Sequence, residues 1–566
     1  MYMEKIAIQL GTIINVSFGV ERPVRLDENS KGGGDYATPI AMELSREVGK
    51  KPLEIAEEIV ANIPENAGFT ASVSAPGFIN IVVSGKDLAQ ELDKNWSAKY
   101  GANDSGSGKL ALLDFPSPNV AKPFSVGHLR SGNQGWAAKQ ILERNGWRVI
   151  TDSHLGDSGT PFGIWAVGFL RFSDDEKLAK DGVYELGDVY IKTRKLLKEE
   201  AELGKTELAG VVQSWLKKLE SNDPEAVALS DKFTKISLKH LHDIMARLKI
   251  STDYELGERF FLQSAKELVT EYVDAGVFTR NPDGSVICSL EDLGKKFKDT
   301  PLLLEKSNGT ALYAATDLAT ATYREKEFAP DQVVFSVGAE QKFYFEQLFA
   351  MLTKLGIKAK NTHMYFGTID QVDEDGKRGK MSSRKGVILM EELLDRAEEK
   401  AREVSKDSVS SEDVKKIALG AIKFSDFMAD KKTNILFDWD TIFSLTGFSG
   451  TYVQYAGVRM KKILDKGADF ERVDFADYNF EAEKPLTKLL LTYPELIRET
   501  SDDLAFHKVA LFAFKLASEF NKYYENTQIL NAEPAEKSAR LVLLSKAHQV
   551  LADALAILGI ELPESM

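Results

Sequence analysis

Apolar and polar positions change rhythm three times along the chain. In the first hundred residues short apolar runs alternate with turns. Lys31–Gly34 reads as a glycine-rich loop and Phe78–Val83 (F-I-N-I-V-V) as a strand, which predicts an α+β unit. Residues 101–108 (G-A-N-D-S-G-S-G) are small and polar and read as a linker. Leu110–Phe115 then reads as a buried strand, 116–126 as a loop, the next segment as a helix that Asn145-Gly146 can cap, and Trp147–Asp152 as a second strand. Such a βαβ unit implies a parallel sheet, with ligands at the carboxyl ends of its strands beside the helix N-terminus. Residues 165–300 are mixed and charge-rich, with a hairpin signal at Asp283-Gly284, and read as an insertion into that sheet domain. The sheet domain resumes where Leu302–Glu305 and Thr310–Ala314 flank Asn308-Gly309, a type I′ turn signal, before a helix from about Asp317. Beyond Lys385 the period is helical: Val414, Ile417, Ala421, Phe424 and Met428 step by three and four, as do Val509, Phe512, Leu516, Phe520 and Tyr523. An all-helical carboxyl third is expected, with no internal repeat.

Composition narrows the class. A length of 566 residues accommodates three or four units at about 150 residues each, which excludes a single small binding module. With 43% hydrophobic and 28% charged residues the chain has material for packed cores and is not a disordered sequence. Cys288 is the one cysteine, so neither a disulfide framework nor a Cys₄ zinc site can be built, and no metal site is expected. No run of 18 apolar residues occurs, and Met1–Val20 carries Glu4, Lys5, Gln9 and Asn15 instead of a leader pattern, so a cytoplasmic protein with no membrane partner is expected. The net charge of −14 argues against a non-specific nucleic-acid coat, yet leaves room for a local basic stripe that meets phosphates.

Two segments carry phosphate chemistry. In Ser117-Pro118-Asn119-Val120-Ala121-Lys122-Pro123-Phe124-Ser125-Val126-Gly127-His128, Gly127 permits close backbone approach, and the helix start supplies free N–H groups and a positive dipole. His128 can donate to phosphate oxygens; by itself a G-H pair at a helix start is usually incidental. Some 250 positions later comes Lys377-Arg378-Gly379-Lys380-Met381-Ser382-Ser383-Arg384-Lys385-Gly386, in which five of ten residues are basic and none is acidic. Alone it also reads as a solvated basic turn.

Together these segments resemble, in order and separation, the H-x-G-H and K-M-S-K-S motifs of class I aminoacyl-tRNA synthetases. S-P-N-V-A-K-P-F-x-V-G-H-L-R-S is close to the form found in arginyl-tRNA synthetases. Gly34–Thr38 and Pro76–Asn80 are similar to that family's amino-terminal additional domain. His154–Asp157, Leu312–Leu318 and Gly338–Gln341 are similar to its catalytic core, and Thr451–Arg459 with Leu562–Glu564 to its helical anticodon-binding domain. The resemblance implies a multidomain α/β chain: an N-terminal α+β additional domain (1–106), a Rossmann-type parallel-sheet catalytic domain (107–410, with an insertion at about 165–300) and a C-terminal all-α anticodon-binding helical bundle (411–566). It implies ATP-dependent activation of L-arginine, with Mg²⁺ accompanying ATP, and transfer to the 2′-hydroxyl of the terminal adenosine of tRNA(Arg) by a monomer. By resemblance, Lys122, Ser125, Gly127, His128, Lys380, Met381, Ser382, Ser383 and Arg384 serve ATP. Asp317 and Tyr313 hold the guanidinium with help from Gln341, and Asp114, Ser117, Asn119 and His154 meet the other end of arginine. Tyr452, Gln454, Tyr455, Arg459 and Tyr524 face tRNA.

The residue chemistry agrees on its own terms. A guanidinium is a flat fork of five donors and asks for carboxylates or amide oxygens without a competing cation, which Asp317 and Gln341 supply. Tyr313 and Asp317 also fit a capped helix N-terminus. Tyr452, Tyr455 and Arg459 fall at i, i+3 and i+7 and can share a helix face for stacking and phosphate pairing, although core packing uses the same spacing. Five positions depart from the family pattern. Ser125 stands where the first histidine is usual, Ser383 stands where the fourth-position lysine is usual, and Asp114 stands where glutamate is usual. Ser158 and Pro161 likewise replace a tryptophan and a glutamine. These departures motivate the alternative of a catalytically inactive, synthetase-like protein that binds arginine or tRNA. Retention of His128 and Lys380 argues against it, and the one cysteine argues against a cysteine-specific relative with a thiol-reading zinc.

Overall fold

The computed structural model describes residues 2–28, 33–372, 378–383, 386–406, 408–467 and 478–566, with the backbone alone at 28, 372, 380, 382, 383, 386 and 387. Period-two alternation shapes the amino-terminal unit: in the run F-I-N-I-V, Ile79 and Ile81 are buried and Phe78 and Val82 are exposed. Its elements are α1 (Tyr2–Phe18), β1 (Asp27–Glu28), β2 (Tyr36–Thr38), α2 (Ile40–Val48), α3 (Pro52–Ala61), β3 (Thr70–Ser74), β4 (Phe78–Val82) and α4 (Gly85–Lys94). The sheet is antiparallel in the order β1-β2-β4-β3. Ile6, Leu10 and Ile14 of α1 close its core against Ile55, Ile59, Ile79 and Ile81.

The second unit begins with β5 (Leu110–Asp114), α5 (Leu129–Arg144) and β6 (Arg148–Asp152). The α5 helix ends as its sequence predicts: Gly146 is left-handed (φ +80°), its N–H donates to Glu143 O at 3.1 Å and that of Trp147 to Leu142 O at 3.1 Å. Residues 101–108, expected as a linker, run as a strap across this helix end. Asn103 N donates to Arg144 O (2.9 Å) and Gly106 N to Asn145 O (2.7 Å), and a Cβ at position 106 would come within 2.0 Å of Trp147. Small residues are required there for contact, not for freedom.

Six helices then follow where a mixed insertion was expected: α6 (Thr160–Phe172), α7 (Asp175–Asp181), α8 (Val183–Glu202), α9 (Glu207–Glu220), α10 (Pro224–Arg247) and α11 (Glu258–Asp274). After them β7 (Thr279–Arg280), β8 (Val286–Cys288) and β9 (Leu302–Glu305) form a small antiparallel sheet, with the Asp283-Gly284 turn between its first two strands. The Asn308-Gly309 turn is not type I′. Of that pair Gly309 alone is left-handed (φ +79°), and its N–H donates to Lys306 O at 2.9 Å, the pattern of a three-residue loop with a bulge. One bridge, Glu305 to Ala311, replaces the expected second strand, because α12 (Tyr313–Phe328) starts four residues before Asp317. Leu312 is extended and caps that helix, and the good helix formers Ala314 and Ala315 fill its first turn.

With β10 (Gln332–Phe335), α13 (Lys342–Lys354) and β11 (Lys360–His363) the parallel sheet is complete, in the order β11-β10-β5-β6. Strand order reverses between β5 and β10, which places a Rossmann-type crevice at their carboxyl ends. Next come β12 (Ile369–Val372), β13 (Arg378–Lys380), β14 (Ser382–Ser383), β15 (Gly386–Val387), α14 (Met390–Val404) and α15 (Ser411–Asp426). The last third is not wholly helical: β16 (Ile435–Leu436) pairs in parallel with β12 before α16 (Trp439–Ile442), α17 (Gly450–Lys466), α18 (Lys484–Asp503), α19 (His507–Asn526) and α20 (Pro534–Ile557) form a bundle. Arg130 on α5 ties these parts together. It is fully buried and donates to Asp426 Oδ1 (2.8 Å) and to the carbonyls of Gly367 and Thr433 (2.9 Å each), while Asn133 and Gln134 also donate to Asp426.

Candidate active site

The loop after β5 reaches α5 through a 3₁₀ turn at Val126–His128. Extended Ser125 precedes the turn, and its backbone N–H donates to His128 Nδ1 at 3.2 Å. Nδ1 is therefore an acceptor and the neutral ring carries its proton on Nε2. Burial pushes the His128 pKa down to about 4, and the ring stacks on Phe124 at 4.7 Å. His128 is thus an N–H donor without positive charge at neutral pH. Ser125, expected to face phosphate, turns its hydroxyl to the same Nδ1 (3.2 Å), because it occupies the capping position of the turn. Gly127 leaves exposed backbone between them. Lys122 is exposed, with its ammonium 5.3 Å over the Tyr190 ring of α8.

The second basic segment is a hairpin, with β13 paired to β12 and β14 to β15. Met381 N donates to Ile369 O at 2.8 Å, and its half-buried side chain packs on the core. Arg378 pairs with Asp370 at 2.9 Å. Arg384, and the side chains of Lys380, Ser382 and Ser383, lie outside the described residues. Although 250 positions apart in sequence, the two segments meet in space. Val126 N donates to Ile388 O (3.1 Å), Met390 N to Phe124 O (2.9 Å), and Ser125 bridges Leu389.

The same loop begins at an acid-rich cluster at the carboxyl ends of β5 and β6. Arg324 of α12, fully buried, donates through Nη2 to Asp114 (2.7 Å) and Asp152 (2.8 Å) at the ends of β5 and β6. Burial alone would raise the Asp114 pKa; Arg324, His154 and Ser117 outweigh it and hold this carboxyl below the ordinary range. Asp114, expected to meet substrate, has both oxygens engaged, one by Arg324 and the other by Ser117 Oγ at 2.6 Å. Ser117 Oγ in turn accepts the N–H of His154 at 3.2 Å. His154 Nδ1 lies 2.9 Å from the Leu256 carbonyl and donates to it, so in the neutral ring Nε2 is left as an acceptor. Among the described residues that buried atom has no hydrogen-bond partner, and it lies 3.9 Å from Asp317 Oδ1. An N–H donor placed between them would satisfy both.

Asp317 also accepts from Tyr344 OH, and burial raises its pKa. Tyr313, one turn earlier on α12, is exposed. Glu258, the first residue of α11, is buried, accepts from Ser158 Oγ at 2.7 Å and is pushed by burial to about 7; His154, Asp317 and Asp157 lie within its electrostatic reach. Sequence reasoning missed Glu258, Tyr344 and Arg324. Exposed Asn119 bridges Gly156 through its backbone, and a Cβ on Gly156 would sit 2.3 Å from Asn119 Oδ1. Gln341 is exposed just before α13. The arrangement of carboxylates can hold a cationic, donor-rich group.

On the helical bundle, Arg459 of α17 lies over the exposed rings of Tyr455 (5.4 Å) and Tyr524 (4.8 Å). They line a cleft of about 550 Å³ with Lys462 and Lys466. Two expected members face elsewhere. Tyr452 turns inward, its OH accepting from Asn521 at 3.0 Å and its ring 5.5 Å from Phe514. Gln454 is fully buried and donates to the carbonyls of Lys416 (3.0 Å) and Glu561 (2.8 Å), so it pins helices and is closed to any partner.

Comparison with known proteins gives one family throughout. Residues 93–439 match the family described as tRNA synthetases class I (R), catalytic domain, 453–566 the DALR anticodon binding domain, and 5–83 the arginyl tRNA synthetase N-terminal domain. The chain is 32% identical to an arginine–tRNA ligase of Lactococcus lactis subsp. lactis (strain IL1403) over 98% of both chains. It is 33% identical to one of Halothermothrix orenii over 94% of both. In fold it is similar to the solved arginyl-tRNA synthetases of Thermus thermophilus (TM-score 0.80, 22% identity, 100% of both chains) and Plasmodium falciparum (TM-score 0.75, 22% identity, 100% of this chain and 99% of that one).

Proposed function

The chain belongs to the arginyl-tRNA synthetase family of class I, and from that premise we propose that it is an arginine–tRNA ligase working through the pocket and junction described above. It activates L-arginine with ATP and transfers it to the 2′-hydroxyl of the terminal adenosine of tRNA(Arg). The observation that carries this reading is the backbone pairing of Phe124–Val126 with 388–390. The loop that makes this pairing begins at Ser117, which is bonded to Asp114 and His154 of the acid-rich cluster, and this supports the reading.

In the first step an arginine carboxylate oxygen attacks the α-phosphorus, and the bond to the bridging oxygen breaks to release pyrophosphate. No protein nucleophile is needed; catalysis is positioning and charge stabilisation. Mg²⁺ arriving with ATP supplies neutralisation of its phosphate oxygens. His128 offers its Nε2–H to phosphate, supported by Ser125, while Lys380 and Arg384 supply cations with Lys122 at the edge of the loop; Gly127, Met381, Ser382 and Ser383 shape the site. Asp317 and Glu258 bind the guanidinium, flanked by Tyr313 and Gln341. Asn119, Ser117 and His154 orient the amino acid's other end, with Asp114 acting through Ser117. Tyr455, Arg459 and Tyr524 meet tRNA by stacking and phosphate pairing.

The reading divides labour among 1–106, 107–410 and 411–566 in a cytoplasmic monomer. Among the described residues no helix is long and apolar enough to cross a membrane. Charging unfractionated tRNA with each labelled amino acid, ATP and Mg²⁺ tests the proposal. Acid-stable attachment of arginine alone is expected. Arginine binding in calorimetry without any charging would instead identify a binding protein that lacks the chemistry.

A further inference from the structure

The helical insertion grips the first ATP segment at two backbone amides. From α10, Ser237 Oγ accepts the N–H of Ala121 at 2.8 Å, and one turn later His240 Nε2 accepts that of Phe124 at 3.3 Å. Ala121 is left-handed (φ +59°) and fully buried, a conformation that a residue with a Cβ keeps only when its surroundings impose it. The grip of α10 on this loop is part of that imposition.

Because His240 Nε2 accepts, its neutral ring carries the proton on Nδ1. Nδ1 lies 3.5 Å from Glu391 Oε1, on the second residue of α14, where the chain leaves the second ATP segment. Tyr184 of α8 adds its hydroxyl to Glu391 and stands edge-on to the His240 ring at 5.7 Å. The His240 side chain is 12% exposed. One imidazole therefore spans the insertion, the first ATP loop and the exit of the second.

We propose that His240 is a positioning residue for ATP: it fixes the separation of the two ATP segments and makes that separation answer to the placement of the insertion helices. The inference rests on the reading of these segments as ATP motifs. No group of the reaction touches His240 itself; it acts through Phe124 and Glu391.

Charging assays at saturating arginine and tRNA with ATP varied, on the full chain, test this with His240→Ala and His240→Gln. Losing an acceptor for a buried N–H should raise the KM for ATP about tenfold in His240→Ala. Arginine affinity by calorimetry should stay unchanged. Glutamine can accept from Phe124 N–H and donate toward Glu391, so His240→Gln should return the KM to within about threefold of wild type. An unchanged ATP KM in active His240→Ala overturns the proposal. So does a rise shared equally by ATP and arginine that glutamine does not repair, since that marks a general structural role. A wild type that charges no tRNA overturns the ATP-motif reading, and the inference falls with it.

Discussion

Glu258 is buried and Asp317 half-buried, and both have little cationic company, since Arg324 is already committed to Asp114 and Asp152. Removing one partner of a desolvated charge costs about 2–5 kcal/mol, so Asp317→Ala should lower kcat/KM for arginine roughly 30-fold or more in charging assays, with the KM for ATP unchanged. Glu258 gives a pH signature. Burial raises it from 4.5 to about 7, so between these values the folded protein holds a proton that the unfolded chain has lost. Its contribution to stability therefore falls as pH rises through that window and is flat above it. Bound guanidinium favours the ionised form, so arginine affinity should strengthen from about pH 6 to 8 in calorimetry, and Glu258→Gln should bind weakly without that slope. An unaltered slope in the variant would assign the titration to another group. Asp317 was legible because it sits near Tyr313 in one helical stretch. Glu258 was not, because an acid in the first turn of α11 looks like any residue complementing a helix dipole. Tyr344 gave no local signal; folding alone brings α13 against α12.

At the scale of elements, α17 separates what periodicity joined. Tyr455 and Arg459 face the cleft with Tyr524, whereas Tyr452 faces α19 and Gln454 faces α15. Sequence spacing fixes which residues share a stripe, but not which stripe a bundle buries. Gln454→Ala should cost about 1–3 kcal/mol in denaturant unfolding, because two carbonyls lose their donor. Arg459→Ala should leave stability nearly unchanged, weaken tRNA binding and reduce its salt slope by about one. Equal effects of the two substitutions on tRNA binding would contradict this division. The α5 ending was readable because Gly146 enforces it locally. The Asn308-Gly309 turn and the start of α12 were misread because tertiary pairing of β9 and capping by Leu312 decide them. β16, two residues long, gives no periodic signal at all.

For the whole molecule, the question is how an acidic chain handles two polyanions. Net charge is −14, yet the cleft with Arg459, Lys462 and Lys466 is basic, so tRNA affinity should fall steeply with salt in filter binding despite the overall sign. Rhythm along the chain suggests separate units but not their fastening, because Arg130 and Asp426 are almost 300 positions apart. Together they link the helix behind the first ATP segment, the approach to β12 and the end of α15. Asp426→Ala leaves Arg130 buried and unpaired, and should cost about 3–5 kcal/mol in thermal or denaturant unfolding. The most direct test of the central claim compares arginine with citrulline, its neutral isostere, as substrates for charging tRNA(Arg). A pocket of Asp317 and Glu258 that reads a guanidinium should prefer arginine by at least about a hundredfold in kcat/KM. Comparable charging with citrulline, or none with arginine, would contradict it.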